Sequence, residues 1–163
     1  MPTITVNNAD IYYEDSAPND TQKPVIVFAH GLLWSSQMYD KQVEHFRGQG
    51  QSQVTKSGYD METLTDDTLG LLAALGIDKC HFVGLSMGGF VAQRIALKRP
   101  ELLLSLTLLE TSADPEDPKN IPQYRKLVKA IRWLGMKRVS NKVMPIMFGS
   151  TFLADKLRKS DRK

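Results

Sequence analysis

Cysteine is nearly absent from this chain: Cys80 is the only one among 163 residues. One cysteine has no intramolecular partner, which excludes an internal disulfide framework. At the start of an apolar strand it reads as a small buried hydrophobe rather than a reactive thiol. Long apolar runs are missing too. The longest, Leu102–Leu109, is interrupted by Ser105 and Thr107 and is far too short to span a bilayer. Met1-Pro2-Thr3-Ile4 has neither a charged n-region nor an apolar h-region, so no secretion leader is expected there. These features together favour a reducing, cytoplasmic setting. Repeats and low-complexity tracts are also lacking. Nothing in the sequence calls for a metal or another cofactor.

What is present suffices for one ordinary core, with 42% hydrophobic residues. Charge is unevenly placed beneath a net of +3. Residues 1–118 hold eight basic and sixteen acidic side chains, a balance of −8, whereas residues 119–163 hold thirteen and two, a balance of +11. A basic segment from Lys119 onward could bind anionic surfaces. No aromatic-basic interleaving accompanies it, so the exposed face of a helix plus a tail is the preferred reading, and no nucleic-acid partner is expected.

Thr3–Val6 and Ile11–Glu14 are rich in β-formers around the turn-rich quartet 7–10, which predicts a β-hairpin. Pro24–Ala29 is a continuous apolar run, as expected of a strand buried on both faces of a parallel sheet. Met61–Leu75 has a helical period, with acidic residues at its start and Gly76 after its end. Phe82, Val83 and Leu85 then run into Gly84-x-Ser86-x-Gly88, and a second helix-period segment follows. Glycines two residues either side of Ser86 suit a sharp strand-to-helix turn that strains the serine and lifts its hydroxyl clear of the sheet. The Met87 N–H, at the helix start, would then face developing negative charge. Leu102–Leu109 predicts another buried strand. This strand–helix–strand rhythm indicates an α/β fold with a mostly parallel sheet.

Val25–Gly31, the stretch Arg47-Gly48-Gln49-Gly50-Gln51-Ser52 and Gly84–Gly88 stand in an order that resembles the α/β-hydrolases. The resemblance is to the lactonase, esterase and perhydrolase group that includes 3-oxoadipate enol-lactonases. It implies a small carboxylic ester or lactone substrate and Ser86 as nucleophile. It also implies a Leu32 N–H that joins Met87 N–H in an oxyanion hole. His30 and Gly31 would brace that turn, while Trp34 lines the pocket or packs in the core. Residues 1–112 would form the core, and 113–163 the start of a helical lid with a basic tail. In the lid, Pro122–Leu134 puts Tyr124, Leu127, Val128, Ile131 and Leu134 on one side. Met136, Met144, Met147 and Phe148 read as lid-to-core packing or as adaptable pocket surface.

The chain departs from the family in two places. A helix is expected over Gln37–Phe46, but Phe46 is followed at once by Arg47, leaving no room for the family's fourth strand. The N-terminal hairpin is therefore expected to be poorly anchored, or to re-pair against Pro24–Ala29. The family's C-terminal strands are missing too, and with them the catalytic histidine and usual acid. His81 lies at the wrong end of the elbow strand, His45 on the unanchored helix, and His30 in the oxyanion turn. Glu110, 24 residues beyond Ser86, resembles the placement of the acid in some haloalkane dehalogenases. It is a candidate orienting acid, or else a carboxylate bonding the loop after its strand. Two readings stay open: an impaired serine hydrolase, and an inactive remnant that binds a small hydrophobic ligand or a protein partner. Oligomeric state is not predicted.

Overall fold

The computed structural model describes residues 2–16, 23–31, 49–135, 138–139 and 149–155. Two compact units divide the chain, Met1–Asp114 and Pro115–Lys163.

In the first unit, strands β1 (Thr3–Val6) and β2 (Ala9–Tyr12) form an antiparallel hairpin. Its second strand starts two residues earlier than the β-former pattern predicts. Asn7 and Asn8 make the turn by themselves, with φ of 45° and 60°. Positive φ at both central residues is what a tight two-residue hairpin turn requires, and asparagine tolerates it. Ala9 and Asp10 are thereby released into the strand.

A parallel sheet follows, with strand order β3-β4-β5. Its members are β3 (Val25–Ala29), β4 (Cys80–Leu85) and β5 (Leu103–Leu109). Helix α1 (Met61–Ala74) precedes β4, and helix α2 (Met87–Lys98) connects β4 to β5 through a short 3-10 turn at Pro100–Leu102. Asp60 caps α1 by accepting the Thr63 N–H at 2.9 Å. Gly76, at φ 67°, ends it: its N–H reaches the Ala73 carbonyl and the Ile77 N–H the Leu72 carbonyl. That pair of bonds is the glycine-terminated C-cap in which Ile77 also packs back on the helix. Phe82 on β4 and Val91, Ala92 and Ile95 on α2 are fully buried, joined by Leu64 and Leu72 of α1. Cys80 is buried among them, as its strand position suggested. Across the α1–α2 surface, Glu62 pairs with Arg94 at 3.2 Å and with Lys98 at 2.8 Å.

Two strand expectations need correction. Neither Pro24–Ala29 nor Leu102–Leu109 is buried on both faces. Ile26 is 44% exposed, and on β5 Leu104 is 52% exposed. Among the described residues the sheet has three strands with β5 as its outer member, and α2 covers one face of it. An edge strand packed from one side cannot bury every leucine it carries.

The hairpin is also not as expected. It neither pairs with β3 nor lies loose. Val6, Ala9 and Ile11 form a second buried cluster with Leu71 of α1. A Cβ on Gly70 would lie 3.2 Å from Val6, so the helix meets the strand closely here. The Asn7 amide donates to Asp67 at 3.1 Å, and Asp67 is itself buried. The free edge of β2 is occupied by residues from beyond β3. Gln53 donates its N–H to the Asp10 carbonyl at 2.8 Å and accepts the Asp10 N–H on its side chain, while the Ser52 hydroxyl accepts the Tyr12 N–H. These bonds satisfy an edge that would otherwise stay open. Residues 49–60 contain no strand; the expected helix over 37–46 and the Phe46/Arg47 junction lie outside the described residues.

In the second unit, α3 (Ile121–Leu134) confirms the helix predicted over Pro122–Leu134. Its apolar stripe is present but unburied. Leu127 and Ile131 are half-buried, whereas Val128 is 64% and Leu134 52% exposed. Glu116 accepts hydrogen bonds from Asn120 and Tyr124, which hold its carboxyl below the usual range. A short helix, α4 (Ser150–Ala154), follows. Met136, Met144, Met147 and Phe148 lie outside the described residues.

Candidate active site

Ser86 joins β4 to α2 at φ 50°, ψ −110°. A side-chain-bearing residue rarely adopts such a conformation, and where one does the surroundings must hold it. Four hydrogen bonds do so. The Ser86 N–H donates to the Leu109 carbonyl at 2.9 Å, at the end of β5. The Ser86 carbonyl accepts the N–H groups of Gly89 and Phe90 at 2.9 and 3.1 Å, and the Thr111 hydroxyl at 3.0 Å. The peptide units on both sides of the serine are therefore pinned, and its side chain is left half-exposed.

The glycines are there because nothing larger fits. A Cβ on Gly84 would lie 2.6 Å from the Gly88 carbonyl oxygen, and one on Gly88 would lie 2.2 Å from that of Ala29. Both distances are inside van der Waals contact with backbone, which cannot swing away. The steric argument made for the Gly-x-Ser-x-Gly spacing thus holds at both positions. Met87 opens α2 directly after Ser86 and is buried. Its N–H belongs to the first helical turn, whose donors the helix itself cannot use.

Parallel registration gathers further residues at this edge. Ala29 of β3 is level with Gly84, and Leu109 of β5 with Leu85. His30 and Gly31, directly after β3, and Glu110, directly after β5, therefore lie at the same carboxyl end of the sheet as Ser86, where α/β sheets place their sites. His30 is fully buried, and its Nδ1–H donates to the Gly31 carbonyl at 2.8 Å. Burial pushes its imidazole below the ordinary value, against the opposing effect of that hydrogen bond. A neutral, buried ring bonded to its own turn suits bracing.

Glu110 is exposed and has a positive φ of 46°. It neighbours Leu109, which bonds Ser86, but none of the described residues hydrogen-bonds its carboxylate. The alternative in which it bonds the following loop is therefore not observed. His81 lies at the opposite end of β4, where its Nδ1 is 2.8 Å from the Ser105 hydroxyl. Neither described histidine hydrogen-bonds the Ser86 hydroxyl. Leu32, Trp34 and His45 lie outside the described residues.

Sequence reasoning missed Thr111 and Gly89. A Cβ on Gly89 would lie 2.5 Å from the Thr111 methyl, so threonine fills the space that glycine vacates while its hydroxyl holds the serine carbonyl. No local pattern signals this, because strand register brings together residues 25 positions apart. Gln49, known beforehand only through its motif, sits with its amide 3.9 Å from the Met87 sulfur.

The family model described as alpha/beta hydrolase fold matches residues 24–134. The chain belongs to that family. In an alignment of 111 positions that covers 61% of its length, this hydrolase-fold chain is 34% identical to a Pantoea ananatis protein provisionally named carbamate hydrolase RutD, of which it covers 40%. It is 27% identical to 3-oxoadipate enol-lactonase 2 of Acinetobacter baylyi over 122 residues, covering 45% of that protein. It therefore spans less than half the length of these curated relatives. Among solved structures, the enol-lactonase of Burkholderia xenovorans superposes with a TM-score of 0.80 at 25% identity, with 99% of this chain and 64% of that one aligned. The hydrolase resemblance read from the three motifs is confirmed, and the structure carries part of the fold. No helix among the described residues is long and apolar enough to cross a membrane.

Proposed function

We propose that Ser86 is the nucleophile of an acyl-transfer site for a small carboxylic ester or lactone. Its hydroxyl attacks the substrate carbonyl, the acyl C–O bond breaks and the departing oxygen takes up the proton. That oxygen leaves as an alcohol from an ester or stays tethered to the acyl chain from a lactone, and water then releases the acid from the acyl-serine. Met87 N–H and Leu32 N–H hold the oxyanion, each contributing about 2.7–4 kcal/mol to the transition state. The carbamate in one relative's name offers the same carbonyl chemistry. The observation that supports this reading is Ser86 at positive φ on the strand-to-helix turn, with Gly84 and Gly88 clearing its flanks.

Turnover by this chain is proposed to be slow. A serine needs a base to take its proton, and neither described histidine hydrogen-bonds the Ser86 hydroxyl: His30 Nδ1 is bonded to the Gly31 carbonyl and His81 Nδ1 lies beside Ser105. Loss of the serine or histidine from such a triad costs about 10⁶ in kcat, leaving ~10³–10⁴ over water from the remaining groups. Glu110, directly after β5, is offered as the orienting acid. A reducing, cytoplasmic setting accompanies the reading, resting on the single buried cysteine.

A fluorophosphonate probe tests it. Covalent labelling of the wild-type chain, lost in Ser86→Ala, is the expected result. Labelling that survives Ser86→Ala would assign reactivity elsewhere. Silence of the folded wild type favours the second reading, an inactive remnant that binds a small hydrophobic ligand, for which the unburied apolar stripe of α3 is the specific observation.

A further inference from the structure

We infer that Thr111 is a positioning residue for this site: by holding the Ser86 carbonyl it sets the direction of the Met87 N–H, the donor that meets the oxyanion. The inference rests on the reading of Ser86 as nucleophile. The Thr111 hydroxyl donates to the Ser86 carbonyl oxygen at 3.0 Å. That oxygen and the Met87 N–H belong to one planar peptide unit and point to opposite sides of it. Whatever turns the carbonyl therefore turns the donor with it.

The peptide needs a hold from outside the helix. Ser86 has φ 50° and ψ −110°, outside the regions that a residue with a side chain prefers. Its ψ is the torsion that aims the next peptide, so relaxing the strain would swing the Met87 N–H off its line. The Gly89 and Phe90 N–H groups also reach the Ser86 carbonyl, at 2.9 and 3.1 Å, but both belong to α2 itself. They tie the peptide to the helix and not to the sheet. Thr111 supplies the other tie, two residues beyond the Leu109 carbonyl that accepts the Ser86 N–H. Two bonds from one short segment thus constrain both torsions of the serine, φ through its N–H and ψ through its carbonyl.

The surroundings keep that hydroxyl in place. Between Leu109 and Thr111 the chain passes through Glu110 at φ 46°, which turns it out of the strand direction. The Gln93 amide of α2 then donates to the Ser112 carbonyl at 3.1 Å and docks the segment on the helix. A Cβ on Gly89 would lie 2.5 Å from the Thr111 methyl and 2.6 Å from its hydroxyl oxygen. Threonine thus occupies space that only glycine leaves, and its branched Cβ keeps few rotamers open. The methyl packs and the hydroxyl aims, so substitution can separate the two.

Two variants of the full chain test the inference. Thr111→Val keeps the shape and loses the hydroxyl, whereas Thr111→Ser keeps the hydroxyl and loses the methyl. One readout is the amide resonance of Met87, whose nitrogen is bonded to the Ser86 carbonyl carbon; the other is the rate of fluorophosphonate labelling. Thr111→Val is expected to move the resonance and to slow labelling about tenfold or more, short of the about 10²–10³ that loss of a whole oxyanion donor costs. Thr111→Ser is expected to keep both near wild type. A packing role gives the reverse order, with Thr111→Ser the slower, and overturns the inference. So does a Thr111→Val chain that matches the wild type in both readouts. Where Thr111→Val does not fold, Thr111→Ser is set against Thr111→Ala, which lacks the methyl as well, and equal values for that pair overturn the inference. A wild type that never labels retires the nucleophile reading alone, and the Met87 resonance then decides the positioning by itself.

Discussion

Ser86 is a non-glycine residue at φ 50°, and a conformation of that kind stores of order 1–3 kcal/mol. Leu109, Thr111 and the glycines of the turn are what make it tenable, which defines where substitution will hurt. In Gly88→Ala the new methyl would sit 2.2 Å from the Ala29 carbonyl oxygen, so strand or helix must move. We expect a loss of at least about 1–3 kcal/mol, the usual cost of overpacking, read as a lower urea midpoint. Gly76→Ala is the contrasting case. Space around it is open and only its φ of 67° is at stake, so about 1 kcal/mol should be lost. Equal midpoints for the two variants would contradict the steric account. His30 supplies a pH dependence. Its folded-state pKa is depressed below 6.5, so the unfolded chain holds the extra proton between the two values. Stability therefore rises with pH through that window and is lost as pH falls below about 6.5. Urea midpoints from pH 7 to 5 should fall more steeply for the wild type than for His30→Asn; identical slopes would assign the effect to other groups.

At the scale of elements, the hairpin is the informative case. Among the described residues it belongs to no larger sheet, and its stability comes from side chains docked on α1 and from Ser52 and Gln53 closing its edge. A two-stranded hairpin alone is marginal in water, so loss of the helix contact should release it. Leu71→Ala is expected to cost about 2–5 kcal/mol and to lower amide protection in Ile4 and Ile11 before that of β4. Uniform loss of protection across both would mean that hairpin and sheet open as one unit. The expected loose or re-paired hairpin failed for a physical reason. The contact that anchors it joins residues 60 apart, through an asparagine amide and a buried aspartate that no periodicity marks. By contrast α1, α2 and the strands were legible, because caps, turn glycines and apolar periods act over a few residues. The motif around Ser86 was legible for the same reason, and Thr111 was not.

On the scale of the whole molecule, two compact units of opposite charge follow one another along the chain. The first has two buried clusters, whereas α3 in the second buries none of its residues. Local opening should accordingly be easier around α3. Limited trypsin digestion is expected to cut at Lys119, Arg125 or Lys126 before Arg94 or Lys98, whose side chains bridge α1 and α2. Early cleavage within α2 would contradict that order.

By itself the sequence determined the α/β class, the spans of α1 and α3 and the identity of the serine at the turn. Those depend on spacing within a few residues, where backbone sterics and hydrophobic period leave few alternatives. Only the tertiary structure decided what braces that serine, what holds the hairpin and which leucines of β5 stay exposed. Each of these depends on register between strands or on docking across distant segments, and a one-residue change in register would alter all the partners without altering any local pattern.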